Sequence, residues 1–325
     1  MRAAYYEKNG PANEVLQVGE IDTPVPGSGE VRVRLATSGV NPSDTKARAG
    51  STRKIAFARV VPHSDGAGEI DAVGEGIDKA RIGERVWTWD AQWQRPIGTC
   101  GEYTVIPADR AVRLPDTVGF DVGACLGIPA RTARHAVAMS GIGSGDTVFI
   151  SGGAGAVSHY AIQFAKARGA NVVTTVSTEE KAGLAEEAGA DHIINYRREE
   201  VGSRVRDITA GIGADAMIEL DLAANAMLIP EIVRPHGNVI VYGTGKPVAE
   251  LPMFFCLSNA IAIRFMFLYI LSDADRRAAE EEITTMLEAG RLRHNIAATF
   301  NLSDSVAAHE AVEQGVVAGN VIVAI

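Results

Sequence analysis

Cysteine is scarce: Cys100, Cys125 and Cys256 are the three in a chain of 325 residues. An odd number at wide spacing excludes a disulfide framework and a four-cysteine zinc lobe, and leaves packed thiols as the expectation. Basic runs are missing as well, and 31 Lys plus Arg against 40 Asp plus Glu give a net charge of −9. A surface of that sign repels nucleic acid and anionic membranes, so neither is an expected partner. The most apolar stretch, residues 253–271, is interrupted by Ser258, Asn259 and Arg264. It reads as buried strand rather than a membrane span. The opening residues MRAAYYEKNG carry no apolar signal core, so a cytoplasmic location is expected.

What the chain has is glycine, 34 residues of it, and 46% hydrophobic residues of which few are aromatic. Val, Ile and Ala in that proportion suit a well-packed α/β protein. The length exceeds what one hydrophobic core usually supports, so two domains sharing a cleft are expected, with the ligand in the cleft.

The rhythm of the chain changes once. Up to about residue 124, short β-like runs at 31–36, 68–73, 85–89 and 102–107 are separated by Gly, Pro and Asp turns, which predicts a mostly β barrel or sandwich. From about residue 129 to 267, apolar strands at 147–151, 171–177, 214–220 and 238–243 alternate with helical segments, which predicts a parallel sheet covered by helices. A helix capped by Ser272, with Asp275 three residues on, should end near Gly290. The final VIVAI is expected to return as a strand to the first domain. Domains of 1–124 with 270–325, and of 125–269, follow.

Strand 147–151 runs straight into Gly152, Gly153, Ala154, Gly155, Ala156, Val157 and Ser158, and then into a helix with Val157, Ala161, Phe164 and Ala165 on its apolar face. Strand, glycine turn and helix in that order form a pyrophosphate site: glycine lets the backbone approach closely, and the helix N-terminus offers N–H groups and a positive dipole end. The usual third glycine is Ser158, small enough for helix and strand still to pack. Cofactor choice is made at the tip of the next strand, where NAD enzymes place an acid. Here the tip is Thr175, Val176, Ser177, Thr178, without an acid, while Lys181 and Tyr196 follow and can hold a 2′-phosphate. NADP(H) is therefore the expected cofactor. Glu179 and Glu180 lie in the first turn of the following helix, where acids complement the dipole and can point to solvent.

With these residues in view, the chain closely resembles the zinc-free quinone oxidoreductase, zeta-crystallin-like branch of the medium-chain dehydrogenase/reductase superfamily. The resemblance runs nearly end to end. It includes Gly39-Val40-Asn41-Pro42-Ser43-Asp44, Ser64-Asp65-Gly66-Ala67-Gly68 with Val73-Gly74, Gly83-Glu84-Arg85-Val86, and Gly127-Ile128-Pro129 with Thr132-Ala133. It continues through the glycine turn, Ala188-Gly189-Ala190-Asp191 with Asn195-Tyr196, and residues 237–243.

The resemblance implies a GroES-like β-barrel domain, a Rossmann domain, NADP(H), and a homodimer built through the Rossmann sheet edge. By position it places the catalytic residues Asn41 and Thr132 near the nicotinamide, Gly153 to Val157 under the pyrophosphate, and Ser177, Lys181 and Tyr196 around the 2′-phosphate. Tyr242, Gly243, Thr244, Phe265 and Met266 would line the nicotinamide pocket. Zinc-dependent relatives hold their metal with a cysteine, a histidine and an acid, and this chain has Asn41, Ser64 and Asp65 at those positions, so no metal is expected. His63 is one residue out of register, which turns its side chain to the other face. Lys46 stands where relatives often carry an aromatic, leaving Trp89 and Trp93 as candidate walls of the substrate pocket. The implied activity is NADPH-dependent reduction of a small electron-poor acceptor, a quinone. The alternatives are reduction of α,β-unsaturated ketones or aldehydes, and a non-catalytic NADPH-binding structural or regulatory role.

Overall fold

β-branched runs punctuated by turn residues build two sheets of opposite character. The computed structural model describes all 325 residues. Seven strands come first: β1 (Arg2–Tyr5), β2 (Gln17–Glu20), β3 (Glu30–Val40), β4 (Gly66–Val73), β5 (Arg85–Thr88), β6 (Tyr103–Pro107) and β7 (Ala111–Arg113). Six more follow: β8 (Thr147–Ile150), β9 (Asn171–Val176), β10 (His192–Asn195), β11 (Ala214–Glu219), β12 (Val233–Val241) and β13 (Ala262–Phe265). β14 (Ile296–Asn301) and β15 (Asn320–Ala324) end the chain. It divides into one unit of Met1–Pro129 with Glu280–Ile325 and a second of Ala130–Ala279. These divisions fall five and ten residues later than the sequence reading placed them. The second moves because the helix Asp273–Glu288 runs through it.

In the first unit β3 is the organising strand. Val31, Val33 and Leu35 alternate along it and are buried, as a half-buried strand requires. One edge of β3 pairs antiparallel with β4; the other is shared, with β6 along residues 30–34 and β15 along 37–40. The register of β3 on β4 shifts between Arg32 and Val33 and again between Leu35 and Thr37. Such bulges bend a sheet. Gly68 permits the close approach: a Cβ there would lie 2.0 Å from the Arg34 carbonyl oxygen. The last strand, β15, returns to β3, as the tail pattern predicts.

The second unit is a six-stranded parallel sheet of order β10-β9-β8-β11-β12-β13. Parallel strands covered on both faces read as continuous apolar runs, and Val148, Phe149 and Ile150 in β8, with Ala216, Met217 and Ile218 in β11, are all buried. The order is that of a dinucleotide-binding sheet, and its chain reversal lies between β8 and β11, where ligands bind at the carboxyl ends of the strands.

One sequence expectation is overturned. Residues 253–271 are not a buried strand: they form the helix Met253–Ser258, the edge strand β13 and a 3₁₀ turn, Leu268–Ile270. Phe254, Leu257 and Ile270 are 84%, 80% and 71% exposed. Hydropathy marks a surface that avoids water without saying whether the chain itself covers it. The capped helix, by contrast, stands where expected, with the Ser272 hydroxyl accepting from the Asp275 amide at 3.1 Å and Gly290 beyond its end at φ 62°. No helix is long and apolar enough to cross a membrane.

Candidate nucleotide and acceptor sites

The turn after β8 is shaped by two glycines. Gly152 adopts φ +67°, and a Cβ on Gly153 would sit 2.5 Å from Thr174 Oγ1 in β9. Both glycine amides are fastened to β9, Gly152 N–H to Thr175 Oγ1 and Gly153 N–H to the Thr175 carbonyl, each at 3.0 Å. Gly155 is the N-cap of the helix Ala156–Ala167. The first-turn amides of Ala156, Val157 and Ser158 have no carbonyl of their own helix to bond, which is the geometry that receives an anion. Ser158 is more than a small substitute for glycine. Its buried hydroxyl donates to the Ser151 carbonyl at 2.7 Å and meets the Tyr242 hydroxyl at 3.1 Å, tying helix, β8 and β12 together at the turn.

The tips of β9 and β10 lie side by side, with Asn195 opposite Val176 and the Tyr196 amide bonded to the Val176 carbonyl. Ser177 is buried at one tip and Tyr196 is half exposed at the other. Thr178 caps the helix Glu179–Glu187, its hydroxyl accepting from the Lys181 amide. That makes Lys181 the third residue of the helix, a place where a cation opposes the dipole unless an anion joins it. Sequence reasoning missed Arg198. Its guanidinium pairs with Glu179 at 2.6 Å across the two strand tips, and both side chains are exposed. Glu179 is therefore turned toward an arginine and not toward the tip of β9. The Asn195-Tyr196-Arg197-Arg198 run was the available signal.

Tyr242, Gly243, Thr244, Phe265 and Met266 come together. With Leu222, Val241 and Leu251 they line a cavity of about 360 Å³ at the carboxyl ends of β12 and β13. A carboxylate that sequence reasoning did not single out sets this corner. Glu219, fully buried at the end of β11, accepts from the Ser151 hydroxyl and the Asp221 amide, both at 2.5 Å, and from Asn225 at 3.0 Å. Burial pushes the Tyr242 hydroxyl up, so it stays protonated and able to donate. Thr132 is buried at the start of the helix Arg131–Ser140.

In the first unit Asn41 stands at the end of β3 and caps the helix Pro42–Ala49, its own amide donating to Asp44 at 2.9 Å. Its side-chain amide donates to Asp65 Oδ1 at 2.7 Å, and the Ile128 amide donates to Asp65 Oδ2 at 2.9 Å. Both oxygens of the one metal-type ligand kept at this position are thus occupied by N–H donors. His63 faces elsewhere, and its hydrogen bonds fix its tautomer. The Thr99 hydroxyl spends its proton on the Asp65 carbonyl at 2.7 Å, so Ser38 donates to Thr99 at 2.7 Å. His63 Nδ1–H then donates to Ser38 at 2.8 Å, and its Nε2 accepts from His309 Nε2–H at 2.9 Å. No three His, Cys, Asp or Glu side chains converge anywhere as a metal site. A catalytic zinc does not fit these residues: the position offers an amide, a hydroxyl and a hydrogen-bonded carboxyl. Burial raises Asp65 well above the carboxylate range and Asp44 to about 7.

Of the substrate-wall candidates, Trp89 is 3% exposed with the Arg110 guanidinium over its ring. Trp93 is partly exposed and carries Arg53 over its ring at 5.3 Å. Lys46 is exposed on the outer face of its helix.

Two family models match: alcohol dehydrogenase GroES-like domain over residues 27–116 and zinc-binding dehydrogenase over residues 156–285. Quinone oxidoreductase of Pseudomonas aeruginosa is 30% identical over 315 residues, covering 94% of this chain and 93% of that one. A 2-haloacrylate reductase of a Burkholderia species is 29% identical over 320 residues, covering 95% and 94%. Among solved structures, a mycobacterial protein complexed with NADPH superposes with a TM-score of 0.89 over the whole of both chains at 26% identity. The chain belongs to the medium-chain dehydrogenase/reductase superfamily, on its zeta-crystallin-like quinone oxidoreductase branch, and is an oxidoreductase.

Proposed function

We propose that the protein uses NADPH to reduce quinones, without zinc. The observation that carries the cofactor is the pair of strand tips: a helix N-terminus at Gly155 for the pyrophosphate, and beside it Lys181 and Tyr196, with no acid turned inward. The mycobacterial neighbour's NADPH complex supports the same choice. When bound, the nicotinamide supplies the hydride; the chain supplies binding, orientation and electrostatics. Thr132, Tyr242 and the cavity beside Met266 would orient the ring. Ser158 holds the pyrophosphate turn against β8.

Alcohol oxidation needs a Lewis acid or a base to remove the hydroxyl proton. Quinone reduction does not, because the product oxyanion is a stabilised phenolate that water protonates. The position held by Asn41, Ser64 and Asp65 is therefore sufficient for quinone chemistry and insufficient for zinc-assisted alcohol chemistry. A second reading, reduction of a conjugated C=C bond next to a carbonyl, is favoured by the 2-haloacrylate reductase relative. NADPH oxidation measured side by side with 1,4-benzoquinone and with a cyclic enone separates the two. The proposal expects the quinone to be the better acceptor; turnover of the enone alone gives the second reading, and turnover of neither removes both.

We also propose a homodimer joined through β13, whose outer edge pairs with no strand of its own chain and is flanked by exposed Phe254, Leu257 and Ile270.

A further inference from the structure

One charge lines the cavity at the carboxyl ends of β12 and β13. Leu222, Val241, Ala249, Leu251, Phe265 and Met266 give it apolar walls, and Lys246 is the single ionised side chain around its volume of about 360 Å³. A fastened turn brings the lysine there. After β12 the chain passes Asp221 so closely that a Cβ on Gly245 would lie 2.7 Å from Asp221 Oδ2. The Gly245 amide donates to Asp221 Oδ1 at 2.8 Å, and the Thr244 hydroxyl donates to the Lys246 carbonyl at 2.7 Å. Pro247 then disfavours helical backbone at Lys246. The position of this side chain is set by the turn, and its stem is exposed to solvent.

No carboxylate answers this charge. The two acids at the corner are committed elsewhere: Glu219 accepts from Ser151, from the Asp221 amide and from Asn225, and Asp221 accepts from the Gly245 amide. Lys246 enters no ion pair, whereas Lys166 in the same unit holds Asp191 at 2.8 Å. An ammonium against apolar walls acts on a neighbouring charge more strongly than it would in bulk water. In a chain with 40 acids and 31 bases, a cation left over at the wall of an apolar cavity is a place prepared for negative charge.

We propose that Lys246 holds the oxyanion that develops on the acceptor, as a catalytic residue of quinone reduction. This rests on the NADPH-dependent reading above, with the nicotinamide seated in this cavity. Hydride moves between atoms about 3 to 3.5 Å apart, so the acceptor ring shares the cavity that Lys246 lines. A quinone that takes hydride, two electrons with one hydrogen, from NADPH gains an O–H bond at one oxygen. The ring electron pairs shift to make it aromatic and leave the other oxygen a phenolate, which water then protonates; NADP⁺ remains. That negative charge is absent from the quinone and present in the transition state, so the ammonium stabilises the second more than the first. The flexible stem of a lysine lets its point charge follow the oxygen.

The test uses the intact protein with NADPH and two acceptors, 1,4-benzoquinone and the N-methylacridinium cation. The quinone becomes an anion on taking hydride; the acridinium becomes neutral. Lys246→Met keeps an unbranched side chain and removes the charge. It should lower kcat/KM for benzoquinone about 10- to 100-fold, the worth of one charge-assisted contact, and leave the value for the acridinium unchanged or raised. Lys246→Arg, which retains a cation, should keep most of the benzoquinone rate. A readout without turnover is 4-nitrophenol bound beside NADP⁺. Its phenolate band should appear at a pH about one to two units lower in the wild type than in Lys246→Met. Unchanged benzoquinone kinetics, equal losses on both acceptors, a loss confined to NADPH affinity in a fluorescence titration, or a phenolate band at the same pH in both proteins overturns the inference while the reductase reading stands. A wild type that turns over neither acceptor removes the reading and the inference with it.

Discussion

At the scale of single residues, the proposed NADPH choice rests on Lys181. Standing in the first turn of its helix, its charge is satisfied by an anion and by little else. Lys181→Ala should weaken NADPH binding about 10- to 100-fold and leave NADH nearly unaffected, because NADH has no phosphate to lose. Nicotinamide fluorescence titration checks this; equal losses for both cofactors would show that Lys181 acts through folding. His63 gives a different kind of forecast. Burial holds it down to about 3, against an ordinary value of 6.5, and holds His309 well below that value too. Its folded pKa is depressed, so the unfolded chain binds the proton first. The contribution is present above about pH 6.5 and is lost as pH falls below it. Asp44 and Asp65, raised by burial, act in the opposite sense over the same range, so the comparison with a variant is the clean measurement. His63→Gln should make the fall in urea stability between pH 6 and 4.5 shallower by about 1.4 kcal/mol per pH unit, one proton's worth. A parallel slope in wild type and variant would show that the histidine titrates normally in the fold.

At the scale of elements, what the sequence made legible was local. The glycine turn could be read because strand, turn and helix lie within twenty residues and each glycine has a steric reason, as Gly153 shows against Thr174. The Ser272 cap was legible for the same reason. The Glu179–Arg198 pair was not, because it joins the tips of two strands whose adjacency exists only in the sheet. Nor was the His63–His309 bond, which spans 246 residues. The burial of Trp89 beneath Arg110 was not legible either, because a loop tryptophan reads alike whether it lines a pocket or packs beneath an arginine. The apolar stretch at 253–271 failed for a further reason: the pattern of a core strand and of an exposed apolar edge is the same in hydropathy. That edge supplies its own forecast. Leu257→Glu puts a charge on a residue 80% exposed, so the fold should tolerate it while the proposed association through β13 does not. Analytical ultracentrifugation should show a dimer for the wild type and a monomer for the variant. A wild type that sediments as a monomer at micromolar concentration would contradict the assembly.

At the scale of the whole molecule, the two units divide the work that an oxidoreductase needs. The parallel sheet brings the glycine turn, the tips of β9 and β10 and the cavity at Tyr242 to the carboxyl ends of its strands. The other unit carries Asn41 and Asp65, hydrogen-bonded to each other where a metal-dependent relative would assemble ligands. Both halves converge on one claim: hydride comes from NADPH, and no metal assists it. The measurement that meets this claim most directly is kcat/KM for NADPH and for NADH, with 1,4-benzoquinone as acceptor and a zinc chelator present throughout. The account predicts undiminished turnover in chelator and an NADPH preference of about tenfold or more. A preference for NADH, or activity that vanishes with the chelator and returns with zinc, would contradict it.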